Sequence, residues 1–155
     1  MFFRTACTWT VLSLATTLAL ADGGGRMTTD NPKFQAECGS CHTPYAPALL
    51  PAASWQRLMG NLGKHFGTDA SLDPATTKEI GQWVQANAGS GRRASEEPPQ
   101  DRITKSAWFQ RQHRPGEVPA DAFKRASVGS PANCSACHPN AAKGNYNEHE
   151  VRIPR

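Results

Sequence analysis

The sequence repeats one five-residue pattern, first as Cys38-Gly39-Ser40-Cys41-His42 and again as Cys134-Ser135-Ala136-Cys137-His138. Cysteines at positions i and i+3 lie on one face of a helical turn, where their sulfurs can reach the two vinyl groups of one porphyrin. The histidine that follows then projects under the ring and can bind the iron. This pattern is the attachment signature of c-type haem. We therefore expect two covalently bound haem c groups, attached through Cys38, Cys41, Cys134 and Cys137, with His42 and His138 as iron ligands.

Three other interpretations of the cysteines were open. Two Cys-x-x-Cys pairs can supply four thiolates to one zinc ion, and a single pair can act as a redox-active dithiol. The cysteines of an exported chain can also form disulfides. None of these explains why a histidine follows both pairs at the same offset, so covalent haem is favoured.

The first 21 residues are typical of a secretory signal peptide. Arg4 supplies the positive charge, a mostly apolar stretch runs from Trp9 to Leu20, and small residues end the segment near Ala21. The apolar stretch is shorter than the roughly 20 residues of a membrane-spanning helix. We expect cleavage after about Ala21, a periplasmic location and no stable membrane insertion. Cys7 leaves with this peptide.

Composition excludes a nucleic-acid partner and favours a prosthetic group. The formal net charge is only +4, with acidic and basic residues mixed along the chain. Only 38% of the residues are hydrophobic. A small domain with so little apolar material usually needs a staple such as a metal or a cofactor.

Hydrophobic periodicity predicts a mostly α-helical fold with many loops and no strand of useful length. Residues 89–100 are rich in Gly, Pro and charge, which is typical of a linker. We expect a signal peptide (1–21), an N-terminal c-type haem domain (22–90), a linker (91–101) and a C-terminal c-type haem domain (102–155). Helices are predicted over 31–42, 54–66, 73–87, 103–113 and 131–138.

Each low-spin haem iron needs a second strong ligand, normally His or Met. His65 and His113 are the best candidates, because aromatic residues suited to a haem pocket lie close to each of them in the sequence. Met59 falls in the middle of a predicted helix and is expected to pack. Met27 lies near the start of the mature chain, and His149 lies in a polar tail.

Proximity in the sequence pairs His65 with His42 and His113 with His138. The sequence also allows the alternative in which the two distal histidines, His65 and His113, bind the iron of the opposite half. Two histidine ligands per iron would give lower reduction potentials than a His/Met pair.

Further segments resemble the bacterial diheme cytochrome c proteins that donate electrons to the oxygen-binding sphaeroides haem protein. The most specific ones, in chain order, are Glu37 to Tyr45, Pro47 to Pro51, Ser54-Trp55, His65 to Gly67, Asp69 to Leu72, Arg102 to Thr104, Trp108-Phe109, His113 and Val151 to Arg155.

This resemblance implies a small class I cytochrome c-like N-terminal half and an irregular helical C-terminal haem-binding half. His65 and His113 match the distal positions of the family. It also implies an electron carrier, not an enzyme, that receives electrons from a membrane cytochrome b and passes them to a soluble haem protein. The alternatives were a small peroxidase or reductase, a gas-binding sensor with one open iron, and a structural subunit of a membrane complex.

Overall fold

A computed structural model describes residues 27–155, so the predicted signal peptide lies outside the described part of the chain. The fold is mostly helical, as predicted, and residues 27–155 contain no strand and only isolated β-bridges. None of the helices in this range has the length and hydropathy needed to span a membrane. The described residues form four α-helices: α1 (Pro32–Cys38), α2 (Ala52–Met59), α3 (Pro74–Ala86) and α4 (Ala107–Gln112).

Side-chain caps determine where α1 and α3 begin. The Asn31 side chain accepts a hydrogen bond from the backbone N–H of Phe34. Asp73 accepts from the N–H groups of Ala75 and Thr76. In both helices a proline follows the cap and needs no hydrogen-bond partner for its nitrogen.

The first half is built around one apolar cluster formed by α1, α2 and α3. Its buried members are Phe34, Leu50, Trp55, Ile80 and Val84. The Trp55 indole N–H donates to the carbonyl of Pro47 at 2.7 Å, so the one polar atom of this side chain is satisfied. Cys38, at the end of α1, packs against the same cluster.

Two predicted helices end earlier than expected in this half. Helix α1 stops at Cys38, and Gly39 caps it. Helix α2 stops at Met59 and is followed by Gly60 and a short 3₁₀ turn over Leu62–Lys64. Glycine lowers helix stability by about 1 kcal/mol relative to alanine, so Gly60 and Gly63 outweigh the apolar spacing beyond residue 59.

The second half has little regular structure. Within residues 103–113, a 3₁₀ turn over Ile103–Lys105 precedes α4, and Ser106 caps α4 through a hydrogen bond from the Phe109 N–H. The predicted helix over 131–138 is reduced to a 3₁₀ turn over Cys134–Ala136. The buried hydrophobic residues described here are few and mostly small: Phe109, Ala122, Val128 and Ala141.

An N-terminal arm, residues 27–29, connects the two halves. Thr29 is fully buried, and its hydroxyl donates to the carbonyl of Ala142 at 2.7 Å. The side chain of Gln35, on α1, donates to the carbonyl of Thr29. The arm thus lies between the first helix and the C-terminal tail.

Candidate haem-binding sites

The first Cys-x-x-Cys-His segment begins at the last residue of α1. Cys38 is half-buried, whereas Cys41 and His42 are exposed. Gly39 is required between the cysteines, because a Cβ there would lie 2.2 Å from the carbonyl oxygen of Gln35. The small residue therefore allows the chain to turn directly after the helix and present both sulfurs.

A tight turn after α2 places His65 against this segment. The N–H of His65 donates to Leu62, and its carbonyl accepts from Thr68. Phe66 has φ 52° and Gly67 has φ 98°, so the chain reverses through two left-handed residues. His65 is therefore held by a turn and not by the predicted helix.

The second Cys-x-x-Cys-His segment forms a 3₁₀ turn, in which the N–H of His138 donates to the carbonyl of Cys134 at 2.8 Å. His113 follows directly after α4. Its ring stacks on Phe109, with centroids 3.9 Å apart and an interplanar angle of 15°. The helix and this stacking contact fix the orientation of His113.

The structure brings together the two histidine pairs that the sequence suggests. The ring centroids are 6.2 Å apart for His42 and His65, and 6.3 Å apart for His113 and His138. A metal–imidazole bond of about 2 Å, added to the roughly 1.1 Å between ring centre and nitrogen, separates two imidazoles on opposite sides of one ion by about 6 Å. Both pairs have this separation. The rings are nearly parallel in the first pair (20°) and steeply inclined in the second (72°).

The hydrogen bonds of two histidines leave Nε2 free to bind a metal. Nδ1 of His42 lies 2.7 Å from the carbonyl of Thr43, and Nδ1 of His113 lies 2.9 Å from that of Phe109. A carbonyl only accepts, so each Nδ1 carries the proton and each Nε2 keeps its lone pair. Such second hydrogen bonds are typical of metal-binding histidines.

Burial favours the neutral form of the other two histidines. Desolvation lowers the pKa of His65, and the charges of His42 and Arg102 lower it further. Desolvation and the charge of His113 lower the pKa of His138. Neutral imidazole is the form that binds metals.

A cavity of about 320 Å³ surrounds the second site. Both histidines of the pair and both cysteines of the motif line it, so one planar group could contact all four. The other lining side chains are largely apolar and come from both halves; they include Leu49, Trp108, Phe123, Tyr146, Val151 and Ile153. This donor set and this apolar lining fit a haem.

The two attachment segments contact each other. The hydroxyls of Thr43 and Ser135 are 2.6 Å apart. Tyr45 stacks on His42 at 4.7 Å, and its hydroxyl donates to the carbonyl of Ala132 at 2.7 Å. This role of Tyr45 has no local sequence signal, because its hydrogen-bond partner lies 87 residues away.

The cysteine geometry does not favour the zinc or disulfide interpretations. All four cysteines in residues 27–155 are unpaired. No three His, Cys, Asp or Glu side chains in this range form a group that could hold a metal ion. Burial raises the pKa of the Cys38 and Cys134 thiols to about 11.

The remaining candidates belong to neither histidine pair. His149 is exposed in the tail, within a 3₁₀ turn over Glu148–Glu150. Met59 packs against the apolar cluster of the first half. Met27 is half-buried in the N-terminal arm.

Comparison with known proteins identifies the family. The family model described as dihaem cytochrome c matches residues 34–146. The diheme cytochrome type c from Shewanella baltica OS155 is 40% identical, with a TM-score of 0.69 over 80% of this chain and 93% of its own. The diheme cytochrome c from Rhodobacter sphaeroides is 39% identical, with a TM-score of 0.68 over 77% and 98%.

No curated protein sequence matched the chain. The family match covers both motifs and both histidine pairs, and the two solved structures are similar over most of their length. The chain therefore belongs to the dihaem cytochrome c family, whose members are electron-transfer proteins with two covalently bound haem c groups.

Proposed function

We propose that this chain is a periplasmic electron carrier whose two haems are both ligated by two histidines. Cys38 and Cys41 attach the first haem, and Cys134 and Cys137 attach the second. His42 and His65 bind the first iron. His113 and His138 bind the second. The N-terminal haem domain spans 22–90 and the C-terminal one 102–155, with residues 91–101 between them.

The spacing of the histidine pairs carries this proposal. Centroid separations of 6.2 and 6.3 Å match the distance expected for two imidazoles bound to one iron. The pairs also lie within single halves, which favours the simple pairing over an exchange of distal ligands.

When bound, each haem supplies an Fe(III)/Fe(II) couple. With both histidines of a pair bound, each iron would have no free coordination position for a substrate or a gas. His42 and His113 are oriented by their Nδ1 hydrogen bonds. Phe109 fixes the plane of His113, and Tyr45 packs on His42. These contacts hold the ligands in one geometry in both oxidation states, which suits outer-sphere electron transfer.

The proposed partners are a membrane cytochrome b as electron donor and a soluble haem protein as acceptor, and neither involves nucleic acid. Residues 1–21 are proposed to direct export and to be removed after about Ala21. The contact between Thr43 and Ser135 supports a short path between the two attachment segments.

Electron paramagnetic resonance of the oxidised protein, with a haem count by mass spectrometry, tests the ligands. We expect two porphyrins and two low-spin signals. The signals should differ in anisotropy, because the imidazole planes are nearly parallel in one pair and steeply inclined in the other. His65→Ala should turn one signal high-spin, and His113→Ala should turn the other.

His149→Ala is the matched control, since this exposed histidine lies outside both pairs; both low-spin signals should remain. High-spin iron in the unmodified protein, or carbon monoxide binding by its ferrous form, would instead favour an enzyme or a gas sensor. Retention of both low-spin signals in His65→Ala and His113→Ala would refute the ligand assignment.

A further inference from the structure

Residues 91–102 include the segment between the halves and the first residue of the C-terminal haem domain. This stretch places one arginine beside each haem site. The Arg93 guanidinium lies 5.5 Å from the centroid of the Trp108 ring. The Arg102 guanidinium lies 4.2 Å from the centroid of the Phe66 ring. Both distances are within the range of a cation–π interaction. Phe66 directly follows His65, and Trp108 lines the second cavity.

Backbone strain is concentrated where Arg102 meets Phe66. In residues 27–155 the non-glycine residues with positive φ are Phe66 (52°), Gln100 (59°) and Asp101 (55°). Left-handed backbone is unfavourable for residues other than glycine and is found mainly where the surrounding contacts enforce it. One of these residues carries the ring, and the other two immediately precede the arginine.

An ion-pair network on α2 maintains this conformation. The Arg57 guanidinium contacts the Asp101 carboxylate at 2.6 and 3.0 Å and the Glu97 carboxylate at 2.7 Å. Arg57 thereby neutralises Asp101, the acidic neighbour of Arg102. No carboxylate within residues 27–155 forms an ion pair with Arg102. The Phe66 ring beneath it lies 4.8 Å from the His65 ring, between centroids.

At the second site, Arg93 likewise lacks an acidic partner among residues 27–155. Its Nε is buried and has no hydrogen-bond partner among residues 27–155. The described part of the chain also supplies no carboxylate within ion-pairing distance of it. A buried guanidinium nitrogen without a partner is costly unless an anionic or acceptor group satisfies it.

We propose that Arg102 and Arg93 are the counter-charges of the first and second haem, respectively, and that each raises the reduction potential of its own haem. The proposal rests on the ligand assignment above. A reduced haem carries one more negative charge than an oxidised one. A nearby fixed positive charge therefore stabilises the reduced form more, and its removal lowers the potential.

Haem-resolved redox titration of the complete diheme protein, followed by NMR of the haem methyl groups, tests this. At a fixed electrode potential, Arg102→Gln should raise the oxidised-to-reduced ratio of the first haem about three- to tenfold. This change corresponds to a midpoint potential about 30 to 60 mV lower. The second haem should change by less than half of this. Arg93→Gln should show the reverse pattern.

Charge-matched controls separate local effects from net charge. Lys105→Gln, on an exposed residue near Arg102, and Arg111→Gln, on the exposed face of α4, remove one positive charge each. Neither variant should shift the reduction potential of one haem more than that of the other. Arg102→Lys keeps the positive charge without the planar guanidinium. The reduction potential of its first haem should stay close to that of the unmodified protein.

Three results would overturn the proposal: Arg102→Gln without a selective shift, Arg102→Lys shifting as far as Arg102→Gln, or Lys105→Gln shifting the first haem equally. If one of these three results came with both low-spin signals retained, the histidine ligands would stand and the counter-charge role would fail. Loss of the ligand assignment itself would appear in His65→Ala and not in the arginine variants.

Discussion

Removal of the Tyr45 hydroxyl should weaken the junction between the two halves. Tyr45 packs on His42 with centroids 4.7 Å apart, and its hydroxyl donates to the Ala132 carbonyl at 2.7 Å. Tyr45→Phe removes the hydrogen bond alone and should cost about 1 kcal/mol of unfolding free energy. Tyr45→Leu also removes the stacked ring, which adds about 1 kcal/mol.

Thermal unfolding of the oxidised diheme protein, followed by far-ultraviolet circular dichroism, measures both costs. For a chain of this size about 1 kcal/mol lowers Tm by roughly 3 °C, so we expect about 3 °C for Tyr45→Phe and about 6 °C for Tyr45→Leu. Both variants should keep two low-spin signals, because Tyr45 binds no iron. The reasoning fails if Tyr45→Phe has the same Tm as the unmodified protein, or if the two variants have the same Tm.

Three other perturbations have defined outcomes. Ile80→Ala, at a fully buried position, should lose about 2 to 5 kcal/mol in guanidinium unfolding. Gly144→Ala should lose more than about 1 kcal/mol in the same assay, since φ is 73° and its Cβ would lie 1.9 Å from the Met27 carbonyl oxygen. Hydrogen bonds from Arg57 lower the pKa of Asp101 in the folded protein. The ionised carboxylate therefore stabilises the fold above pH 3.8, the pKa of Asp101 in the unfolded chain, and this contribution is lost as the pH falls through the lower folded pKa. Tm measured at decreasing pH should fall less below about pH 4 for Asp101→Asn than for the unmodified protein.

The two motifs and the capped helices were predictable because they depend on neighbouring residues. Asp73 followed by Pro74 identifies the start of α3, and the caps act within three residues of themselves. The cysteine and histidine spacing of the motifs likewise predicts the haem groups without any knowledge of the fold.

Sequence periodicity failed where a turn competes with a helix. The apolar spacing up to Phe66 predicted that His65 lies on a helix, but the chain leaves α2 at Met59 and reverses through Phe66. Left-handed backbone at a phenylalanine is too rare to predict, and here contacts with a distant arginine accompany it. The need for a second iron ligand points to His65 whatever the local structure, although the predicted helix at this position is wrong.

Contacts between distant segments could not be predicted at all. Residues 91–101 have the composition of a linker, yet Asp101 and Glu97 are paired with Arg57 of α2. The contact of Tyr45 with Ala132 depends in the same way on how the halves meet. Such pairings arise from tertiary packing and have no local sequence signal.

The bond between Thr29 and Ala142 spans 113 residues, so it sets a limit on the order of assembly. A chain that emerges from its N-terminus cannot close this contact until nearly all of it has been made. Both Cys-x-x-Cys-His segments have emerged by then, and each can meet its haem while the polypeptide is still open. Closure of the N-terminal arm on the C-terminal tail therefore comes after both haem-attachment segments have been synthesised.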